Sequence, residues 1–160
     1  MMKGMNLLRL PIDSLTLTHL NDLIENKVSE STTLDFKRDT YGSSDADKRE
    51  LIKDVSALAN TRGGMIIIGI DEVEGCASAI VPFIGDTDAE LLRLNAILQS
   101  SIEPIITGLE IQTVRNDGNG SIIIIKIPKV GVLPTDPIIR EQNGFIEETH
   151  QVFMSPTSQN

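Results

Sequence analysis

The stretch that most narrows the possible folds is residues 60–71, NTRGGMIIIGID, where a helix runs out, two glycines turn the backbone and an apolar strand leads into acid. Residues 65–68 are an unbroken apolar run rich in β-branched side chains. With no polar face left, the run reads as a strand covered on both sides. Gly63 and Gly64 make the turn into it. Glycine tolerates positive φ and lets another group come close, so this turn serves either as a helix C-cap or as a ligand contact.

The other elements arrange themselves around that strand. Residues 16–28 carry Leu17, Leu20, Leu23, Ile24 and Val28 at helical spacing, with Thr16 or Thr18 as the cap and His19 on the polar side. A lone solvated histidine has none of the partners that metal or catalytic work needs. Residues 30–38 read as an approach and a short strand, Leu34 and Phe36 facing the core, Asp35 and Lys37 facing the other way. Asp47 and Glu50 have capping-box-like spacing, and Leu51, Ile52, Val55, Leu58 and Ala59 then form one stripe of a helix ending near Asn60.

Beyond the central strand, residues 71–75 are an acid-rich turn. A helix starts at Asp86 or Thr87, turns Leu91, Leu92, Ala96, Ile97 and Leu98 inward, and stops at Pro104. Residues 109–115 alternate as a half-exposed strand, NDGNG at 116–120 is a hairpin turn, and SIIIIKIP at 121–128 returns as a buried strand. Residues 138–153 have room for a last strand pair. This order predicts an α+β sandwich, a mixed sheet with helices over one face. The expected organisation is an N-terminal helical lead (1–29), one main domain (30–150) and a frayed tail (151–160).

A chain of 160 residues can bury a real core, and with aromatics at 3% that core is aliphatic. No apolar run is long enough to span a bilayer, and Arg9, Pro11 and Asp13 break the N-terminus too early for a signal peptide. Cys76 is alone, so no internal disulfide forms. These features point to a cytoplasmic protein. The net charge of −9 means that any phosphate-binding role must rest on a local patch. Six of the fourteen basic residues fall at positions 37–62, but the acids among them leave a balance of only +1. By charge alone that interval is an ordinary surface laced with ion pairs.

Four segments taken together carry a family resemblance: ESTTLDFK at 30–37, ALANTRGGMIIIGID at 57–71, IEP at 102–104 and IIIIKIP at 122–128. In this order and spacing they resemble the Schlafen AlbA_2 (AlbA-type DNA-binding) domain family over roughly residues 30–130. The resemblance implies an Alba-like fold and a surface facing nucleic acid, DNA or RNA. It also implies the role of binding module in a bacterial transcriptional regulator, often with a winged helix downstream; none is visible here. Where relatives continue into an Arg-bearing strand, residues 143–154 carry Glu147 and Glu148 instead. The Gly-Gly segment lacks the GxxxxGK[ST] pattern of a nucleotide-binding P-loop.

On the binding reading, Lys37, Arg38, Lys48, Arg49, Lys53 and Arg62 are phosphate contacts, and the turn containing Asn60, Gly63 and Gly64 offers backbone N–H groups. No cofactor is needed for it. A second reading comes from the eukaryotic Schlafen relatives, which cut RNA with three carboxylates. The matching positions are Glu30, Asp35 and Asp71, which would hold Mg²⁺ or Mn²⁺ as a nuclease centre. Their spacing requires a bend near residues 31–33. A third reading is a homodimer or protein-interaction module, in which the aliphatic strands at 66–68 and 122–127 supply the face if one lies at a sheet edge.

Overall fold

The computed structural model describes residues 7–130 in full and residues 138–140 and 146–148 as backbone strands. Its centre is the antiparallel pair of β2 (Gly64–Ile68) and β7 (Ser121–Ile127), in register with Ile66 opposite Ile125 and Ile67 opposite Ile124. On one side β1 (Leu34–Lys37) adds parallel to β2; on the other β6 (Glu110–Arg115) adds antiparallel to β7. The sheet order is therefore β1-β2-β7-β6, a mixed sheet as expected. Parallel pairing of β1 with β2 demands a crossover, and α2 (Asp45–Ala59) provides it.

Alternation along the inner strands sends side chains to two separate cores. Ile66, Ile68, Ile123, Ile125 and Ile127 pack under α2 and α3 (Thr87–Ser101), joined by Leu51, Val55, Leu94 and Leu98. Met65, Ile67, Ile122 and Ile124 point the opposite way, onto Leu34 and Phe36 and the N-terminal lead. That lead comprises a 3-10 turn (Ile12–Ser14) and α1 (Leu17–Glu25), and it contributes Leu7, Ile12, Leu15, Leu20 and Leu23. So the main helical layer lies over one face, but the second face is covered too. Strands with no polar side require this, and Lys126 Nζ pins the lead down by donating to the Leu10 carbonyl at 2.9 Å. The same placement removes the expected dimer face: the strands at 66–68 and 122–127 are both interior, and neither is an edge.

Capping chemistry sets the helix starts. Thr16 opens α1, and His19 completes its capping box by accepting from the Thr16 N–H at 3.0 Å, so this histidine has a structural partner. Ser44, rather than Asp47, caps α2: the Ser44 hydroxyl accepts from Asp47 N at 3.0 Å, and the Asp47 carboxylate accepts from Ser44 N at 3.3 Å. Asp86 caps α3 as expected, accepting from Ala89 N at 3.0 Å. The buried face of α3 differs from the expected one. Leu94, Ile97 and Leu98 are inside, whereas Leu92 is 71% exposed and Ala96 is also exposed. Apolar residues lie all around this helix, so spacing alone does not choose its inner side.

Two small sheets complete the fold. β3 (Ile70–Val73) and β4 (Cys76–Ile80) form a hairpin that turns at Glu74 and Gly75, both with positive φ. Asp71 therefore sits on a strand and not in the turn, which begins only after Val73. β5 (Ile102–Glu103) pairs with β8 (Ile138–Arg140), and β8 with β9 (Ile146–Glu148). The NDGNG turn closes as anticipated, with Asn116 N donating to the Gly120 carbonyl at 3.0 Å. Residues 151–160, the expected frayed tail, lie outside the described residues.

Candidate nucleic-acid interface

β1 is an edge strand whose inward residues, Leu34 and Phe36, are fixed by the second core. Asp35 and Lys37 must then point to the α2 side, in register with Ile66 and Ile68. There Lys37 Nζ meets three carboxylates: Asp54 at 3.2 Å, Glu50 at 3.5 Å and Asp35 at 3.7 Å. The Tyr41 hydroxyl donates to the same Asp54 oxygen at 2.7 Å, and Lys37 lies 5.7 Å from the Tyr41 ring centroid. Burial pushes the Asp35 carboxyl up to about 6; Lys37 opposes the shift while Asp54 and Glu30 add to it. Burial works against the Lys37 charge, yet Asp54 and Asp35 outweigh it and hold the ammonium above its ordinary range. Burial, then the Asp54 carboxylate, push the Tyr41 hydroxyl well up. Arg38 is also engaged, 3.5 Å from Asp39 and 3.7 Å from Asp71, in exposed pairs that solvent screens. Thus Lys37 and Arg38 are both committed to carboxylates.

The remaining cations are placed differently. Glu50 and Asp54, four residues apart, form the side of α2 turned to Lys37. Arg49 and Lys53 each precede one of them, and one residue of helix is a rotation of roughly 100°. Over its last turns α2 thus sets Glu50 and Asp54 toward β1 and Lys53 onto an adjoining side. Lys53 and Arg62 are exposed and Lys48 half-buried, and among the described residues none of the three forms an ion pair.

The glycine turn is packed shut. Gly64 has φ +155°, and a Cβ there would lie 2.3 Å from the Thr33 carbonyl oxygen; one on Gly63, at φ +76°, would lie 2.6 Å from that of Ile127. The turn also caps α2: Asn60 N donates to Ser56 O at 2.9 Å, and Thr61 N and Gly63 N donate to Leu58 O at 3.2 and 2.7 Å. These N–H groups are spent inside the chain. For Asn60 and Gly63 this runs against the expectation that the turn presents its N–H groups to phosphate; Gly63 and Gly64 are buried, and Asn60 is half-buried with its Nδ2 unpartnered among the described residues.

The three carboxylates of the nuclease reading are also placed. The expected bend exists, closed by Ser31 N donating to Leu34 O at 2.9 Å. It turns Glu30 back so that its carboxylate accepts from Phe36 N at 3.3 Å and adds to the rise in the Asp35 pKa. Asp71 instead faces Arg38. Among the described residues no group of three His, Cys, Asp or Glu side chains is placed to hold a metal ion, and the carboxylates of Asp35, Glu50 and Asp54 surround the Lys37 ammonium instead, so Glu30, Asp35 and Asp71 do not fit Mg²⁺ or Mn²⁺.

Arg93 is a residue that spacing arguments passed over. It bonds to Glu90 and donates to the Tyr41 and Gly42 carbonyls, the latter at 3.0 Å, while Thr40 donates to Glu90 at 2.6 Å. The bond from Arg93 holds the Glu90 carboxyl below its usual range. The loop after β1 is thereby fastened to α3. The available signal was a single arginine between Leu92 and Leu94, too costly to leave there without partners. Lys129 was missed as well: it is exposed beside the glycine turn. A polar cleft of about 410 Å³ between the start of α3 and the β6–β7 turn sets Arg115 against Asp86 and Asp88, so it carries no net positive lining.

Comparison with known proteins places the chain. The family model described as Schlafen, AlbA_2 matches residues 30–149. No curated protein matches the chain. Among solved structures, one similar fold is the N-terminal domain of a protein from Nitrosomonas europaea described as related to the ATP-dependent DNA helicase RecG. It is 23% identical with a TM-score of 0.50, over 68% of this chain and 71% of that one. Another is the DIP2311 protein from Corynebacterium diphtheriae, 16% identical with a TM-score of 0.48; the match covers 82% of this chain but only 26% of that one. The LDFK strand, the glycine turn and both inner strands all lie within the matched span, which exceeds half of the sequence, and the chain belongs to the Schlafen AlbA_2 family.

Proposed function

We propose that this domain binds nucleic acid, DNA or RNA, through phosphate contacts made from the basic side of α2 and the turn that follows it, as the binding module of a transcriptional regulator. The observation that carries the reading is the division of charge over the last turns of α2 and the turn that follows. Lys37 draws Glu50 and Asp54 to one side, and Lys53 and Arg62 remain exposed without carboxylate partners among the described residues. A molecule of net charge −9 attracts a polyanion only where its cations are segregated in this way. Family membership points in the same direction, as does a fold neighbour described as helicase-related. Among the described residues no helix is long and apolar enough to cross a membrane. Metal-dependent cleavage has no comparable observation behind it, since its three carboxylates do not converge.

The test is fluorescence anisotropy with labelled mixed-sequence duplex and single-stranded probes across a salt series. The affinity should fall linearly in log-log form as salt rises, and Lys53→Ala with Arg62→Ala should reduce that slope by about two. Absence of binding at low salt, or binding indifferent to salt, overturns the proposal.

A further inference from the structure

The exit from β7 passes directly across the end of α2. Val130 N donates to the Ala59 carbonyl at 2.9 Å, which fixes residues 128–130 against the last turn of that helix. Gly63 lies so close to this segment that a Cβ on it would stand 2.7 Å from Lys129 N. Arg62, the neighbour of Gly63, and Lys129 are therefore brought onto one surface, both exposed and both without carboxylate partners among the described residues.

A helix C-terminus ordinarily opposes phosphate, because its unsatisfied carbonyls carry the negative end of the macrodipole. Here those carbonyls are occupied from within. Ser56 O accepts from Asn60 N at 2.9 Å, Ala57 O from the Thr61 hydroxyl at 3.1 Å, Leu58 O from Gly63 N at 2.7 Å, and Ala59 O from Val130 N. The end of α2 thus shows solvent no bare carbonyl from these four residues, and two cations without ion-pair partners among the described residues flank it.

We infer that the phosphate-contacting surface crosses the end of α2 onto the segment after β7, with Lys129 as a contact alongside Arg62. This rests on the nucleic-acid reading and deepens it, since it adds a residue that sequence did not single out and gives the surface a direction. Lys37 and Arg38 lie off that path. Arg115 also lies off it, at the opposite end of the β6–β7 pair from Lys129.

The experiment compares the parent protein, Lys129→Ala, Lys129→Arg and Arg115→Gln by anisotropy with a short mixed-sequence DNA duplex over a fourfold salt range, circular dichroism confirming each fold. Loss of one phosphate contact should lower the slope by about 0.9, so Lys129→Ala loses about 3.5-fold less affinity than the parent over that range. Lys129→Arg and Arg115→Gln should keep the parental slope. If the parent binds with salt sensitivity but Lys129→Ala keeps its slope, or Arg115→Gln lowers it equally, the crossing is refuted while the binding function stands. If the parent binds neither this duplex nor a single-stranded RNA of mixed sequence at low salt, both fall.

Discussion

Replacing Gly64 by alanine should be among the most damaging small substitutions in this chain. The added Cβ would lie 2.3 Å from the Thr33 carbonyl oxygen and 2.7 Å from its carbon, and both are backbone atoms. They are held by the bond from Met65 N to Thr33 O at 2.9 Å and by the β1–β2 ladder, so neither side can move aside cheaply. Two terms add. Backbone strain at φ +155° costs of order 1–3 kcal/mol, and overpacking against rigid neighbours costs roughly another 1–3 kcal/mol or more. Gly75→Ala is the control: at φ +77° with no atom within 4 Å of the new Cβ, it meets strain alone, about 1–2 kcal/mol. Urea unfolding followed by circular dichroism separates the two. With a slope of roughly 1–3 kcal/mol/M, a loss of about 4 kcal/mol moves the midpoint down by more than 1 M, enough to unfold a marginal domain outright. If Gly64→Ala loses no more than Gly75→Ala, the close approach of Thr33 to β2 is not what this glycine serves.

Three further outcomes are expected. Asp35→Asn should stabilise the protein at neutral pH. The native carboxyl titrates at about 6 against 3.8 unfolded, so its contribution is intact below pH 4 and is lost as pH rises toward 6; the variant's advantage should therefore grow across that window, as read from urea midpoints at several pH values. Lys37→Ala should raise the Asp35 pKa further, because it removes the one nearby charge that opposes burial; carboxyl-carbon NMR titration measures this, and a downward shift would contradict the geometry. Leu94→Ala, at a fully buried position, should cost about 2–5 kcal/mol, while Leu92→Ala, 71% exposed, should stay within about 0.5 kcal/mol, and equal losses would mean α3 is rotated from its described setting.

Much of the sheet was legible because its strongest signals are local. Residues 65–68 and 122–125 are apolar without interruption, and NDGNG between strands admits little but a hairpin. The succession of a strand, a capped stripe and a second strand was legible too, but that the two strands pair in parallel across the helix was not. β4 was invisible for the converse reason. CASAI has small side chains and no alternation, and it is a strand only because α1 and β3 pack against it. The rotation of α3 was missed because Leu91, Leu92 and Leu94 all compete for the core, and only the neighbouring elements decide. At the candidate interface the six cations were visible by type but not by pairing. That Lys37 belongs to Glu50 and Asp54 depends on a strand lying beside a helix, a relation residue spacing does not contain. Lys129 escaped notice because it is far in sequence from every other cation of its surface.

The long separation between β2 and its partner β7 has a consequence for biosynthesis. One of the two most apolar runs of the chain emerges from the ribosome early, yet the strand that pairs with Gly64–Ile68 is not complete until Ile127 has been added. At roughly 5–20 residues per second, several seconds pass with this ladder unmade, and β1 can shield only one of its two sides. During that interval the nascent polypeptide carries a short, uncharged, β-branched stretch of the kind that seeds aggregates, so its yield in cells should depend on chaperone capacity and translation speed more steeply than its final stability suggests.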